Sequence, residues 1–288
     1  MTSNQKRILV AGATGYLGGF VAREFKSRGH YVRALARSPH KLDHVKDEID
    51  EIAKGEIIDP GSIKGICEGI DVVFSSIGIT RQKGRLTFKD VDYQGNKNLL
   101  EVAQKAGVKK FIYVSVFNGP NLLHLAIVKA HEDFVGELKT SGMDYAIIRP
   151  TGYFSDMGEF FNMAKKGRVY LFGPGNNRMN PIHGADLAKI CADAMEGENR
   201  EIDIGGPEIL TYRDIAELAL YIQGKPMKIS SIPIWMMNLI VCATKLFNRH
   251  QGELLAFQTT VCSSTVVAPV TGVHTLREHY LDLLNQSD

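Results

Sequence analysis

Cysteine is scarce in this sequence: Cys67, Cys191, Cys242 and Cys262 are scattered through 288 residues with no C-x-x-C pair. That pattern argues against a disulfide framework. With no signal-peptide pattern at the start, it predicts free thiols in a reducing, cytoplasmic setting. The nine histidines and four cysteines show no ligand spacing, so no metal site is expected. Cationic blocks are missing too. Lysine and arginine total 34 against 32 aspartate and glutamate, a net charge of +2, which leaves no footprint for nucleic acid. No G-x-S-x-G elbow supports acyl transfer by a serine. No long hydrophobic run is present either. The most apolar stretch, IPIWMMNLIVCATKLF, is too short to span a bilayer and carries Asn238, Thr244 and Lys245. It reads as a packed amphipathic helix, with peripheral membrane contact as the alternative.

What is present is an alternation of two periods. Short β-rich runs occur at RILVAG, YVRALAR, GEIIDP, DVVFSS, KKFIYVS and DYAIIRP, with helical segments such as GGFVAREFKSRG and YQGNKNLLEVAQKAG between them. Such βαβ repetition predicts an α/β fold with a doubly wound parallel sheet of Rossmann type. Gly29 and Gly107 suit the left-handed positions that close two of the helices. After Pro150 the rhythm changes to mixed glycines, aromatics and polar residues. Three helical segments follow, two of them with capping-type starts at Thr211 and Thr275. The expected division is a core over 1–155 and a smaller C-terminal substrate lobe over 156–288 with elements returning to the core. Oligomeric state is not legible.

VAGATGYLGG, residues 10 to 19, places four glycines directly behind the first apolar run. Gly12 allows a sharp turn, Gly15 lets a pyrophosphate approach the main chain, and Gly18 lets the helix lie close to the sheet. The helix start then offers N–H groups and a positive dipole end to phosphates. Gly12, Thr14, Gly15, Tyr16, Leu17 and Gly18 are accordingly the candidate phosphate cradle.

A cofactor with a free ribose hydroxyl wants an acid about 20 residues further on. ALARSPHKL has none there. Arg37 stands at the strand end, followed by Ser38 and Lys41. A guanidinium fork suits a phosphate that a carboxylate would repel, so NADP(H) is expected rather than NAD(H).

These features resemble the atypical, NmrA-like branch of the short-chain dehydrogenase/reductase superfamily. The likeness runs through GATGYLG, ALAR, DPGSIKGICEGIDVVFSSIG, VDYQGNKNLLEVAQKAGVKKFIYVS, VKAHEDFVGELKTSGMDYAIIRPTGYF and MNPIHGADLAKI. The resemblance implies that Asp59 lies near the adenine and that Ile77 and Gly78 border the adenosine ribose. It implies that Arg149 to Phe154, hence Pro150, Thr151, Gly152, Tyr153 and Phe154, lie along the nicotinamide. Asn96 matches a position that supports the active-site backbone in relatives.

Active relatives usually carry Ser, Tyr and Lys, with Tyr four residues before Lys. Ser115 and Lys129 match, but the tyrosine position is Leu125, which neither donates nor accepts a proton. Two readings follow. One is a reductase in which Lys129 fixes the ribose and Tyr153 replaces the missing acid, with His124 and His131 as weaker candidates. The other is an NADPH-binding sensor, regulator or assembly factor without turnover. The later IGGPEILTYRDIAELALYIQGKPMKISSIPIWMMNLI and GVHTLREHY resemble the tail of divinyl chlorophyllide reductases. Phe154, Met157, Phe160, Phe161, Tyr170 and Phe172 fit either an apolar substrate cleft or ordinary core packing.

Overall fold

The computed structural model describes residues 5–79 and 86–286, apart from the side chain of His44; the polar start at 1–4 lies outside that range. Two compact units share the chain. The first comprises Met1–Arg149 and Leu187–Ile202, the second Pro150–Asp186 and Asp203–Asp288. The chain thus passes into the second unit at Pro150, and the 187–202 segment belongs to the first.

The first unit is built on a seven-stranded sheet. Its strands are β1 (Arg7–Ala11), β2 (Tyr31–Ala36), β3 (Glu51–Lys54), β4 (Val72–Ser75), β5 (Lys110–Val114), β6 (Asp144–Pro150) and an edge strand at Arg200–Ile204. The order is β3-β2-β1-β4-β5-β6 followed by the edge strand, and the pairs from β3 to β6 are parallel. Apolar side chains fill both faces of β1, β4 and β5, as a sheet covered on both sides requires. The helices are α1 (Tyr16–Ser27), α2 (Asn96–Lys105) and α3 (Ala126–Thr140). Gly29 and Gly107 close α1 and α2 with φ of +83° and +74°. A π-helical turn, Lys89–Gly95, runs directly into α2.

One expected strand is displaced. GEIIDP, residues 55 to 60, is loop, and the third strand is the less β-prone Glu51–Lys54. Its register against β2, from Arg33↔Glu51 to Ala36↔Lys54, places it. The loop is pinned differently: Ile57 is buried and its carbonyl accepts a 2.8 Å bond from the Asn98 side chain.

The second unit holds α4 (Phe154–Lys165), β7 (Val169–Phe172), β8 (Arg178–Met179), β10 (Leu210–Thr211), α6 (Tyr212–Ile222), β11 (Ile229–Ile232), α7 (Ile234–Phe247), α8 (Arg249–Cys262) and α9 (Leu276–Asn285), whereas α5 (Gly184–Asp193) and β9, the Arg200–Ile204 strand, fall mostly in the 187–202 segment of the first. Here β7 and β11 pair in parallel, β8 and β10 antiparallel. Its core gathers Phe154, Met157, Phe161, Tyr212, Leu276 and Tyr280, and the Tyr280 hydroxyl donates to the Met157 carbonyl at 2.8 Å. Both expected capping boxes form, Thr211 with Asp214 and Thr275 with Glu278. The apolar residues that fitted either a cleft or a core divide: Phe154, Met157 and Phe161 are buried in the core, Phe160 packs against it, Phe172 is half-buried and Tyr170 is exposed. The α7 segment is a helix as expected but not a packed one, since only Met237 and Val241 are buried.

Candidate functional site

Strand order reverses at β1, which pairs β2 on one side and β4 on the other. In open parallel sheets, a crevice for ligands forms outside the carboxyl ends of the strands at such a switch point. The glycine turn occupies that place. Gly12 has φ of +97°, a conformation that side chains disfavour, and the Gly15 N–H donates to its carbonyl at 2.8 Å. A Cβ on Gly12 would stand 2.8 Å from the Ser76 Oγ, just beyond β4. A Cβ on Gly18 would stand 2.0 Å from the Gly12 oxygen, so only glycine lets α1 lie against the turn.

The start of α1 has the electrostatics of an anion site. Its N-cap is Gly15, with no side-chain cap, and no acid occupies the first turn. The positive end of the helix dipole therefore has no carboxylate nearby on its own helix. Thr14 and Gly15 are exposed, Tyr16 is half-buried, and Leu17 is buried beneath the turn.

Arg37 follows the last residue of β2. Its side chain is 68% exposed and reaches Glu56 at 3.3 Å. An ion pair so exposed contributes under about 1 kcal/mol, so the guanidinium can be drawn to a phosphate at little cost. Ser38 and Lys41 begin the 3-10 segment after it, with the Lys41 N–H on the Ser38 carbonyl at 3.1 Å. Asp59 is exposed and caps its own turn, accepting from the Gly61 N–H at 3.0 Å.

The loop after β4 is held from below by a buried polar chain. The Asn96 side chain donates to the Ile77 carbonyl at 3.2 Å and accepts from the Ser75 hydroxyl at 2.6 Å. Asp92, fully buried, accepts the Ile79 N–H and lies 3.2 Å from the His131 Nε2. The other ring nitrogen of His131 meets the Tyr113 hydroxyl at 2.7 Å. Gly78 is exposed above this network, and a Cβ there would stand 2.9 Å from Asp92. Asn96 thus braces the main chain of this loop at Ile77. Asp92 and Tyr113 escaped the sequence reading, although a charged residue amid VDYQGN was the available signal. His131 is buried between Asp92 and Tyr113, and His124 is exposed.

Ser115 and Lys129 have different surroundings. The buried Ser115 hydroxyl donates to Glu132 at 2.8 Å, and Glu132 lies against the Arg149 guanidinium at 2.8 Å. Arg149 also pairs with Glu201. Lys129 is exposed, one turn before Asp133, and contacts both its carboxylate oxygens at 2.8 Å. Leu125 is the N-cap of α3 and only 4% exposed. No proton-transfer group is therefore supplied from that position.

The remaining expected residues belong to the second unit, apart from Arg149. Thr151 is buried, with its hydroxyl on the Asn180 carbonyl at 2.6 Å. Tyr153 is half-buried and caps α4, its N–H donating to Asp156 at 3.2 Å. Phe154 is 1% exposed, with its ring packed on His183 and His279, so its side chain is core. Pro150 ends β6, and Gly152 has φ of +159°.

A parallel sheet of this order, with a glycine turn at its switch point, defines a dinucleotide-binding protein. The chain belongs to the NAD(P)H-binding family, whose sequence model matches residues 12–198. It is 30% identical over 259 residues to a chloroplastic divinyl chlorophyllide a 8-vinyl-reductase of Arabidopsis thaliana. That match covers 81% of this chain and 61% of the relative, so the chain spans under two thirds of that protein's length. It is 26% identical over 268 residues to the photosystem II assembly factor Ycf39 of Synechocystis, covering 89% and 80% of the two chains. In fold it is similar to an NADPH-dependent quinone oxidoreductase of Escherichia coli solved with NADPH, at a TM-score of 0.77, 19% identity, and coverage of 96% and 100%.

Proposed function

We propose that this chain is an NADPH-dependent oxidoreductase of the atypical short-chain type, acting on a bulky, apolar carbonyl or conjugated acceptor. The observation that carries the cofactor choice is Arg37, exposed at the end of β2, where ALARSPHKL supplies no acid to favour a ribose hydroxyl and the one carboxylate beside it, Glu56, is already paired with the guanidinium. In this reading Gly12, Thr14, Gly15, Tyr16, Leu17 and Gly18 hold the pyrophosphate through main-chain N–H groups. Arg37, with Ser38 and Lys41, reads the 2′-phosphate. Asp59 stands by the adenine, and Ile77 and Gly78, braced by Asn96 and Asp92, border its ribose. Lys129 leaves Asp133 to hold the nicotinamide ribose. Ser115, committed to Glu132, acts as a positioning residue for the end of β5. When bound, the cofactor supplies the hydride, and the protein supplies orientation and charge.

A second reading, a nucleotide-responsive regulator or assembly factor, draws support from the buried Leu125 and from the similarity to an assembly factor. Purified protein offered NADPH and a panel of quinones, enones and aldehydes separates the two. NADPH consumption above background, lost in Lys129→Ala, supports the reductase. Tight NADPH binding without turnover across the panel supports the regulator.

A further inference from the structure

The α7–α8 hairpin carries an apolar face that the second unit does not cover. Trp235, Leu239, Leu246 and Phe247 are 65%, 61%, 85% and 92% exposed. Positions 235, 239 and 246 follow helical spacing along one side of α7, and Leu246 with Phe247 forms the tip of the hairpin. The turn there is capped and closely packed. Asn248 caps α8 through the Gln251 N–H at 3.1 Å, and a Cβ on Gly252 would stand 2.7 Å from the Lys245 nitrogen, so the two helices close tightly. Large contiguous apolar patches on a protein surface mark a contact with something else.

Charge identifies the partner. The protein as a whole is nearly balanced, yet from Gln223 to Gly252 the chain carries Lys225, Lys228, Lys245 and Arg249, and the first acid beyond that run, Glu253, pairs with Lys245 at 3.2 Å, which leaves Lys225, Lys228 and Arg249 in excess. Among the described residues no helix is long and apolar enough to cross a membrane, and α7, about 21 Å long for its 14 residues, is well short of a bilayer core. A short apolar helix with a tryptophan near one end and cations beyond both ends fits the plane of a lipid interface. We propose that the α7–α8 hairpin docks this protein on anionic phospholipid bilayers, with Leu246 and Phe247 inserted among the acyl chains and Lys225, Lys228 and Arg249 at the headgroups. The nucleotide site plays no part in this.

Trp235 is the protein's single tryptophan and reports on the face directly. The test is flotation with phosphatidylcholine vesicles and with vesicles containing one third phosphatidylglycerol, followed by Trp235 emission. The protein should float with the anionic vesicles alone, with a blue shift that added salt reverses. Leu246→Ser combined with Phe247→Ser should weaken partitioning at least about tenfold, as should Lys228→Glu combined with Arg249→Glu, while both variants keep the parent's melting temperature. No flotation with anionic vesicles, or equal flotation of parent and variants, overturns the proposal. So does a blue shift that follows protein concentration without lipid, because the face would then join two copies of the chain.

Discussion

Lys129 donates its main-chain N–H to the carbonyl of Leu125 at 2.8 Å, which sets the two residues one turn apart at the start of α3. Their side chains diverge: Leu125 is buried while Lys129 reaches solvent and Asp133. The exposed pair with Asp133 contributes little to stability, so the lysine can be removed without unfolding the chain. Lys129→Ala should leave the melting temperature within a degree or two while weakening NADPH binding by about 1.5–3 kcal/mol, the worth of a charge-assisted hydrogen bond. Calorimetric titration measures this. An unchanged dissociation constant would remove Lys129 from the site.

Arg37 and Glu56 offer a paired test of cofactor choice. Arg37→Glu should weaken NADPH binding by about 1.5–3 kcal/mol and leave NADH binding nearly unchanged, because only the former carries the 2′-phosphate. Glu56→Gln removes the competing carboxylate at 3.3 Å and should tighten NADPH binding by under about 1 kcal/mol. Tighter binding of NADH than NADPH by the unmutated protein would overturn the reading of β2.

The glycine turn and the strands around it were legible because their causes are local: glycine spacing, apolar runs and C-capping glycines at Gly29 and Gly107. β3 was misplaced because the sequence window favours GEIIDP, whereas the strand is defined by its partner β2. Asp50 and Glu51 are held there by Lys26 and Arg33, contacts remote in sequence. The apolar residues after Pro150 could not be sorted between cleft and core, since residue type is the same in both. Burial by α6 and α9 decides it for Phe154, Met157 and Phe161. The Asp92–His131–Tyr113 chain was invisible for a further reason: its three members come from the π-helical turn, α3 and β5, and only the tertiary fold aligns them. The exposed side of α7 was likewise illegible, because periodicity shows an apolar face and not whether anything covers it.

Glu132 ties Ser115 to Arg149 at the end of β5. Its side chain and that of Arg149 are only 9% and 5% exposed, and with Glu132 removed Arg149 keeps only its more exposed partner Glu201. Glu132→Ala should cost about 1.5–3 kcal/mol in chemical denaturation, the worth of a hydrogen bond to a charged group, and Ser115→Ala only about 1 kcal/mol. A reactive rather than positioning serine would show the opposite pattern, with Ser115→Ala abolishing turnover at unchanged stability. Measuring both quantities on both variants decides between the roles.

Three histidines meet in the second unit, His183 from one segment and His274 and His279 from another about 90 residues on. The His183 and His274 rings stack with centroids 4.4 Å apart, and His279 lies 6.0 Å from His183. Burial, with repulsion from His274 and His279 added, pushes the His183 imidazole down to about 4, and burial lowers His279 as well. In the unfolded chain His183 binds its proton near the ordinary histidine value of 6.5, so between that value and about 4 the unfolded state holds the extra proton. Stability is therefore full above the unfolded value and falls with acidification across that window, by on the order of 1–3 kcal/mol. Urea unfolding at a series of pH values should show the decline, and His183→Gln should flatten it. An identical pH slope in the variant would mean that the loss comes from carboxylates elsewhere and not from this cluster.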